Sequence, residues 1–224
     1  MAVLVAIEGA DGVGKNTAAN RLRDRLAAAE RSATIIGFPQ YGETVAGITI
    51  GRILAGEVPI AATPQAAAVL YALDRLEWRG EIARAAEAHD VVIFDRYIAS
   101  NMAYQAARAD HGEARALMDW ILALETGQFA LPTPALSIYL DTPWDIARAL
   151  ILQKAQRSYT DRSYDEYEAD IALQARVRAN YEAIVAADLL GPWRVVRASD
   201  EGRLRPPEDI AGEIHAHVDA LLLN

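Results

Sequence analysis

Five short runs of apolar residues, at 2–8, 33–38, 91–95, 135–140 and 193–197, read as strands buried on both faces. Between them lie segments rich in Ala, Leu, Arg and Glu, so strands and helices alternate. That alternation predicts an α/β fold with a doubly wound, five-stranded parallel sheet flanked by helices. Thr63-Pro64 sets a cap before a proline at the first helical position, with apolar residues running from Ala66 to Leu76. Thr142-Pro143 repeats the signal for a helix through Ala155, and Pro206-Pro207 opens the last helix. No internal repeat or linker interrupts residues 1–224, which are expected to form one domain.

The first strand runs into Gly9-Ala10-Asp11-Gly12-Val13-Gly14-Lys15-Asn16-Thr17 and then into an alanine-rich helix. Strand, glycine loop and helix in this order are the context of a phosphate-binding P-loop. The glycines let the backbone turn its N–H groups inward, the helix start offers its positive dipole end, and Lys15 adds a cation. Asn16 stands where a hydroxyl would ordinarily meet magnesium, with Thr17 one residue later.

A formal net charge of −9 argues against wrapping nucleic acid or coating an anionic membrane. Any anionic ligand must therefore be held by local cations. There is no cysteine, which excludes disulfides and thiolate chemistry. The opening apolar run is too short for a signal peptide and lacks a basic leader, and no stretch reaches the ~20 apolar residues that span a bilayer. A cytoplasmic protein is expected.

In α/β sheets ligands gather at the carboxyl ends of the strands. Strand two ends in Phe38-Pro39-Gln40-Tyr41, and strand three in Asp95-Arg96-Tyr97, followed by a helix bearing Ser100, Asn101 and Tyr104. Asp95 could hold magnesium and Arg96 a phosphate, or the two could form an ion pair that tethers the loop. Ser100 and Tyr104 share a helix face, and Asn101 carries the donors and acceptor needed to read a flat heterocycle. Tyr71 and Arg75, one turn apart, could engage a base or only each other. From Lys154 to Tyr167 the chain is polar and doubly charged. It reads either as a solvated loop or as a lid carrying Arg157 and Arg162 over a nucleotide. No histidine joins a motif, and the tryptophans at 78, 120, 144 and 193 are assigned to packing.

The loop from Ile7 to Lys15, Phe38-Pro39-Gln40-Tyr41, Ala72-Leu73-Asp74-Arg75, the Asp95–Asn101 run through Tyr104, and the arginine-bearing stretch ending Tyr167-Glu168 together resemble the thymidylate kinase family in order and spacing. The resemblance covers most of the chain to about residue 180. It implies a P-loop NTPase-type fold with a small mobile lid, about 154–166, and transfer of the γ-phosphoryl of ATP to dTMP with magnesium. By that resemblance residues 9–17 and Arg157 hold ATP, and Lys15 screens charge during transfer. Asp11 lies near the sugar and the metal, with Tyr167 and Glu168 closing on the same region and Asp95 a further metal candidate. Phe38 and Tyr41 flank the acceptor, and Arg96 grips its phosphate. Tyr71 stacks on thymine, Arg75, Ser100 and Asn101 read its edge, and Tyr104 crowds the 2′ position. The P-loop has no arginine, so the chain looks like the bacterial type whose catalytic arginine is in the lid, here Arg162. A homodimer is implied, formed through helices near 64–88 and 98–127.

Two rival readings remain at this level. A deoxynucleoside kinase of the same fold would want a carboxylate base after strand two, where Phe38-Pro39-Gln40-Tyr41 supplies none. A nucleotide-dependent switch would leave the acceptor-side residues without purpose.

Overall fold

The computed structural model describes residues 2–59, 62–110, 112–143, 146–147, 171–200 and 203–223. The expected lid with Arg157 and Arg162, the residues Tyr167, Glu168, His111 and Trp144, and most of the expected helix from Pro143 to Ala155 lie outside them.

Among the described residues, β1 (Val3–Glu8), β2 (Ala33–Gly37), β3 (Val91–Asp95), β4 (Leu136–Asp141) and β5 (Trp193–Arg197) form one sheet in the order β2-β3-β1-β4-β5. Every neighbouring pair is parallel. The inner strands are covered on both faces, with Val5, Ile7, Val91 to Phe94 and Ile138 all buried, whereas the edge strands correct the expectation: β5 buries Trp193 and Val196 but exposes Arg194, Val195 and Arg197, and of β2 only Ile36 is buried.

Helix α1 (Lys15–Ala28) leads from β1 towards β2 and packs on the C-terminal helix, Pro207–Leu222. Helices α2 (Val45–Leu54), α3 (Pro64–Glu77) and α4 (Arg79–Ala88) connect β2 to β3. The Thr63 hydroxyl caps α3 by accepting from Ala66 N–H at 3.2 Å, as the Thr-Pro signal predicts. Helix α2 carries no such proline signal and went unread, although Thr44 caps it. After β3 come α5 (Ile98–Arg108) and α6 (Ala114–Leu122), the latter running into a π-helical turn at Ala123–Gln128. Helix α7 (Ile171–Ala186) packs along α5, and α8 (Pro207–Leu222) closes the fold after a small hairpin of β6 (Ser199–Asp200) and β7 (Arg203–Leu204).

The right-handed crossover rule sends the connection after β1 and the one after β3 to opposite faces, because they lead in opposite directions across the sheet. A crevice therefore opens between these adjacent strand ends, at the switch point where α/β folds bind ligands. One packing assignment needs correction. Trp193 is buried, but Trp120 is 40% exposed, because α6 turns Leu117, Met118 and Ile121 inward and leaves Trp120 off that stripe.

Candidate active site

The P-loop occupies one lip of this crevice. At Gly9, with φ +148°, an added Cβ would meet the Leu140 carbonyl and the Val13 side chain at 3.0 Å, so only glycine fits. Gly14 precedes α1 at φ +91° and leaves the helix N–H groups without a side-chain cap, open to an anion. Lys15 is buried and folds back to donate to the carbonyls of Gly9 (3.1 Å) and Ala10 (2.6 Å). Burial, with a further push from Arg96, lowers its pKa to about 8. Asn16 and Thr17 are exposed, and the Asn16 side-chain oxygen accepts from Asn20.

Arg96 forms the opposite lip. Its backbone is left-handed, at φ +68°, a conformation rare outside glycine that persists only where its surroundings fix it. Its guanidinium pairs with Asp11 rather than with the adjacent Asp95, so the alternative of an Asp95–Arg96 tether gives way to a pair that crosses the crevice. Arg96 also lies 5.1 Å over the Tyr104 ring and reaches the Ser100 hydroxyl at 3.4 Å. Although burial opposes its charge, Asp11 is held below the usual carboxylate range by Arg96 and Lys15. Gln174 of α7 completes the arrangement: its amide donates to Asp11 at 2.8 Å and accepts from the Asp11 N–H at 3.3 Å.

Behind Arg96 lies a cavity of about 190 Å³. Asp11, Phe38, Tyr41, Tyr71, Arg75, Arg96, Ser100, Asn101 and Tyr104 all line it, so candidates from four sequence segments share one pocket. Ile50, Ile53 and Leu54 of the unread helix α2 also line it.

Two buried carboxylates that sequence reasoning gave no role organise this pocket. Glu125, in the π-helical turn, takes a bidentate ion pair from Arg75 at 2.6 and 2.7 Å, and a hydrogen bond from Asn101 Nδ2 at 2.8 Å. Asn101 Nδ2 also donates to the Ala68 carbonyl, at 3.0 Å, which leaves Asn101 Oδ1 buried with no partner. The second carboxylate is Glu8, which accepts from Tyr97 N–H and from the hydroxyls of Ser100 and Tyr181. Ser100, expected to read a base edge, lines the cavity and directs its hydroxyl proton into this network. The sequence signals were faint: Glu8 ends an apolar strand, whereas Glu125 and Gln174 sit in no motif.

A family model described as thymidylate kinase matches residues 7–201. The thymidylate kinase of Mycobacterium tuberculosis is 39% identical over 204 residues, covering 90% of this chain and 95% of the relative. That of Leifsonia xyli subsp. xyli is 36% identical over 226 residues, covering 97% and 94%. The solved thymidylate kinase of Candida albicans superposes with a TM-score of 0.71 at 23% identity, covering 98% of this chain and 92% of that one, which supports the fold. A P-loop facing a clamped arginine, with a family match across most of the chain, places this protein in the thymidylate kinase family.

Proposed function

We propose that this enzyme transfers the γ-phosphoryl group of ATP to dTMP, giving dTDP and ADP, with the donor in the P-loop and the acceptor in the cavity behind Arg96. The observation that carries the acceptor assignment is the unpartnered Asn101 Oδ1 on a residue that lines the same cavity as Arg75. Thymine presents an imide N–H donor next to a carbonyl acceptor, which complements an amide oxygen and a guanidinium. Cytosine offers an acceptor and a donor at the same edge and would meet like against like. Phe38 and Tyr71 wall the ring, Tyr41 borders the sugar and phosphate, and Tyr104 stands against a ribose 2′-hydroxyl. Arg96 grips the acceptor phosphate.

The attacking oxygen is already ionised at neutral pH, so no general base is required. The protein's work is to bring two anions into line and screen their repulsion. Gly9, Ala10, Gly12, Val13, Gly14, Asn16 and Thr17 supply the cradle, and Lys15 the mobile charge. Among the described residues no group of three or more His, Asp or Glu forms a metal cage. Mg²⁺ fits all the same, since it takes one or two carboxylates and leaves the rest to phosphates and water. Asp11 and Asp95, both near enough to act on the Lys15 charge, would hold it. When bound, Mg²⁺ neutralises charge on the donor phosphates. Roles for Arg157, Arg162, Tyr167 and Glu168 in closing the site rest on the family resemblance, as does a homodimer, and a cytoplasmic location rests on the sequence pattern alone. No described helix is long and apolar enough to cross a membrane.

Steady-state phosphorylation of dTMP, dCMP and thymidine tests the reading. We expect turnover of dTMP, rates on dCMP lower by ~100-fold or more through mismatched hydrogen bonds, and none on thymidine. Phosphorylation of thymidine but not dTMP would overturn it.

Lys15 gives a separate test. Because its folded pKa lies below that of a free lysine, the empty protein loses this proton as pH rises through about 8, whereas bound polyphosphate favours the charged form. ATP binding should therefore take up a proton near pH 8.5 and weaken as pH rises further. Calorimetry in buffers of different ionisation enthalpy measures the uptake, which Lys15→Arg should abolish.

A further inference from the structure

Glu8 is fully buried at the end of β1, and what it touches belongs to two other elements. Its Oε1 accepts the Tyr97 N–H at 2.8 Å, where α5 begins without a side-chain cap of its own. A carboxylate at that point satisfies an orphan donor and opposes the positive end of the helix dipole. Its Oε2 accepts from Ser100 Oγ at 2.7 Å and from Tyr181 of α7 at 2.9 Å, while the two hydroxyls lie 2.8 Å apart. One residue before Tyr97 stands Arg96, in its left-handed conformation, with its N–H held by the Ile7 carbonyl at 3.2 Å.

We propose that Glu8 is the positioning residue of the Arg96 clamp, fixing both the backbone turn that aims the guanidinium and the hydroxyl against which it rests. The proton bookkeeping is specific. Arg96 Nη1 can donate to Ser100 Oγ only if the Ser100 proton points away from it, and Glu8 Oε2 is the acceptor that draws that proton away. An amide at position 8 cannot reproduce this. With its NH₂ towards the hydroxyls it removes the one acceptor that takes both their protons, so Ser100 and Tyr181 must compete for the bond between them, and with its NH₂ towards Tyr97 it sets donor against donor. Tyr181 extends the same network to α7, the helix that also supplies Gln174 to Asp11. Both partners of the clamp are thereby tied to one helix.

The proposal rests on Arg96 gripping the acceptor phosphate, and the test separates the two claims. Calorimetric binding of dTMP and of thymidine, which lacks the phosphate, is measured for Glu8→Gln, Tyr181→Phe and Arg96→Met, together with kcat and the ATP KM. For Glu8→Gln we expect dTMP binding weakened about tenfold or more, thymidine binding within about twofold of the parent, lower kcat and an unchanged ATP KM. Tyr181→Phe should shift the dTMP-to-thymidine ratio the same way by about threefold, and it carries the test alone if Glu8→Gln does not fold. If Arg96→Met changes the ratio and the other two leave it unchanged or weaken both ligands equally, the positioning role is overturned while the phosphate clamp stands. If Arg96→Met itself leaves the ratio unchanged, the clamp reading fails, and the positioning role with it.

Discussion

Replacing Arg96 with alanine should lower turnover on dTMP by about a thousandfold with a much smaller change in ATP affinity, because the guanidinium lines the acceptor cavity while also pairing with Asp11 of the P-loop, and so stands where the two anions must meet. Arg96→Lys keeps the charge but loses the planar fork that can pair with Asp11 and an incoming phosphate together, so a loss of ~10- to 100-fold is expected. The backbone supplies a control for folding. At φ +68° any residue with a Cβ is strained, whereas glycine is at ease. Arg96→Gly should thus be more stable than Arg96→Ala by about 1 kcal/mol, with both equally inactive. Thermal melts set beside kcat would show this. Equal turnover in parent and Arg96→Ala would remove the residue from the reaction.

That strained turn also shows what the sequence could and could not reveal. The inner strands were legible because a parallel strand covered on both faces must be apolar throughout, so Val91-Val92-Ile93-Phe94 admits few other readings, while the edge strand β5 shows that only one face need be covered there. The P-loop was legible because its glycines answer to local backbone geometry, as the φ and Cβ environment of Gly9 demonstrate. Nine acceptor-side candidates were legible as a set, and they do line one cavity, because ligands gather beyond strand ends and each candidate followed a strand or sat on a helix leading there. Pairing was not legible. Arg96 was offered Asp95 as its neighbour in sequence, yet it takes Asp11, in the loop that leaves β1 beside the end of β3. The bond from Ser100 to Glu8 was equally illegible, because the two lie 92 positions apart. Helix α2 was missed for a different reason: its cap, Thr44, answers to Asp74 and Gln40 as well, a tertiary arrangement with no local signature.

The pocket is thus built in two layers. Side chains that line the cavity, Arg96 and Asn101 among them, are backed by fully buried carboxylates: Glu8 holds Tyr97 and Ser100 beside Arg96, and Glu125 holds Arg75 and Asn101. Each carboxylate ties together elements that are remote in sequence, so the site's geometry depends on the sheet and helices having already assembled around it.

Glu125 accordingly predicts the largest loss of stability. Arg75 is 2% exposed and Glu125 0%, and Glu125 holds the Arg75 charge in place even though burial opposes it. Removing the carboxylate strands a guanidinium in the core and leaves Asn101 Nδ2 with the Ala68 carbonyl alone. Glu125→Ala should destabilise the fold by about 3–5 kcal/mol, read as the shift in urea midpoint at unchanged slope. Replacing both partners, with Arg75→Met and Glu125→Leu, removes the stranded charge and should recover most of that stability. It should not recover discrimination between dTMP and dCMP, because the guanidinium that complements the thymine carbonyl is gone. A double variant that regained both stability and selectivity would show that the pair serves only the core, and that thymine is read elsewhere. A double variant that regained neither would mean that the π-helical turn itself requires the glutamate.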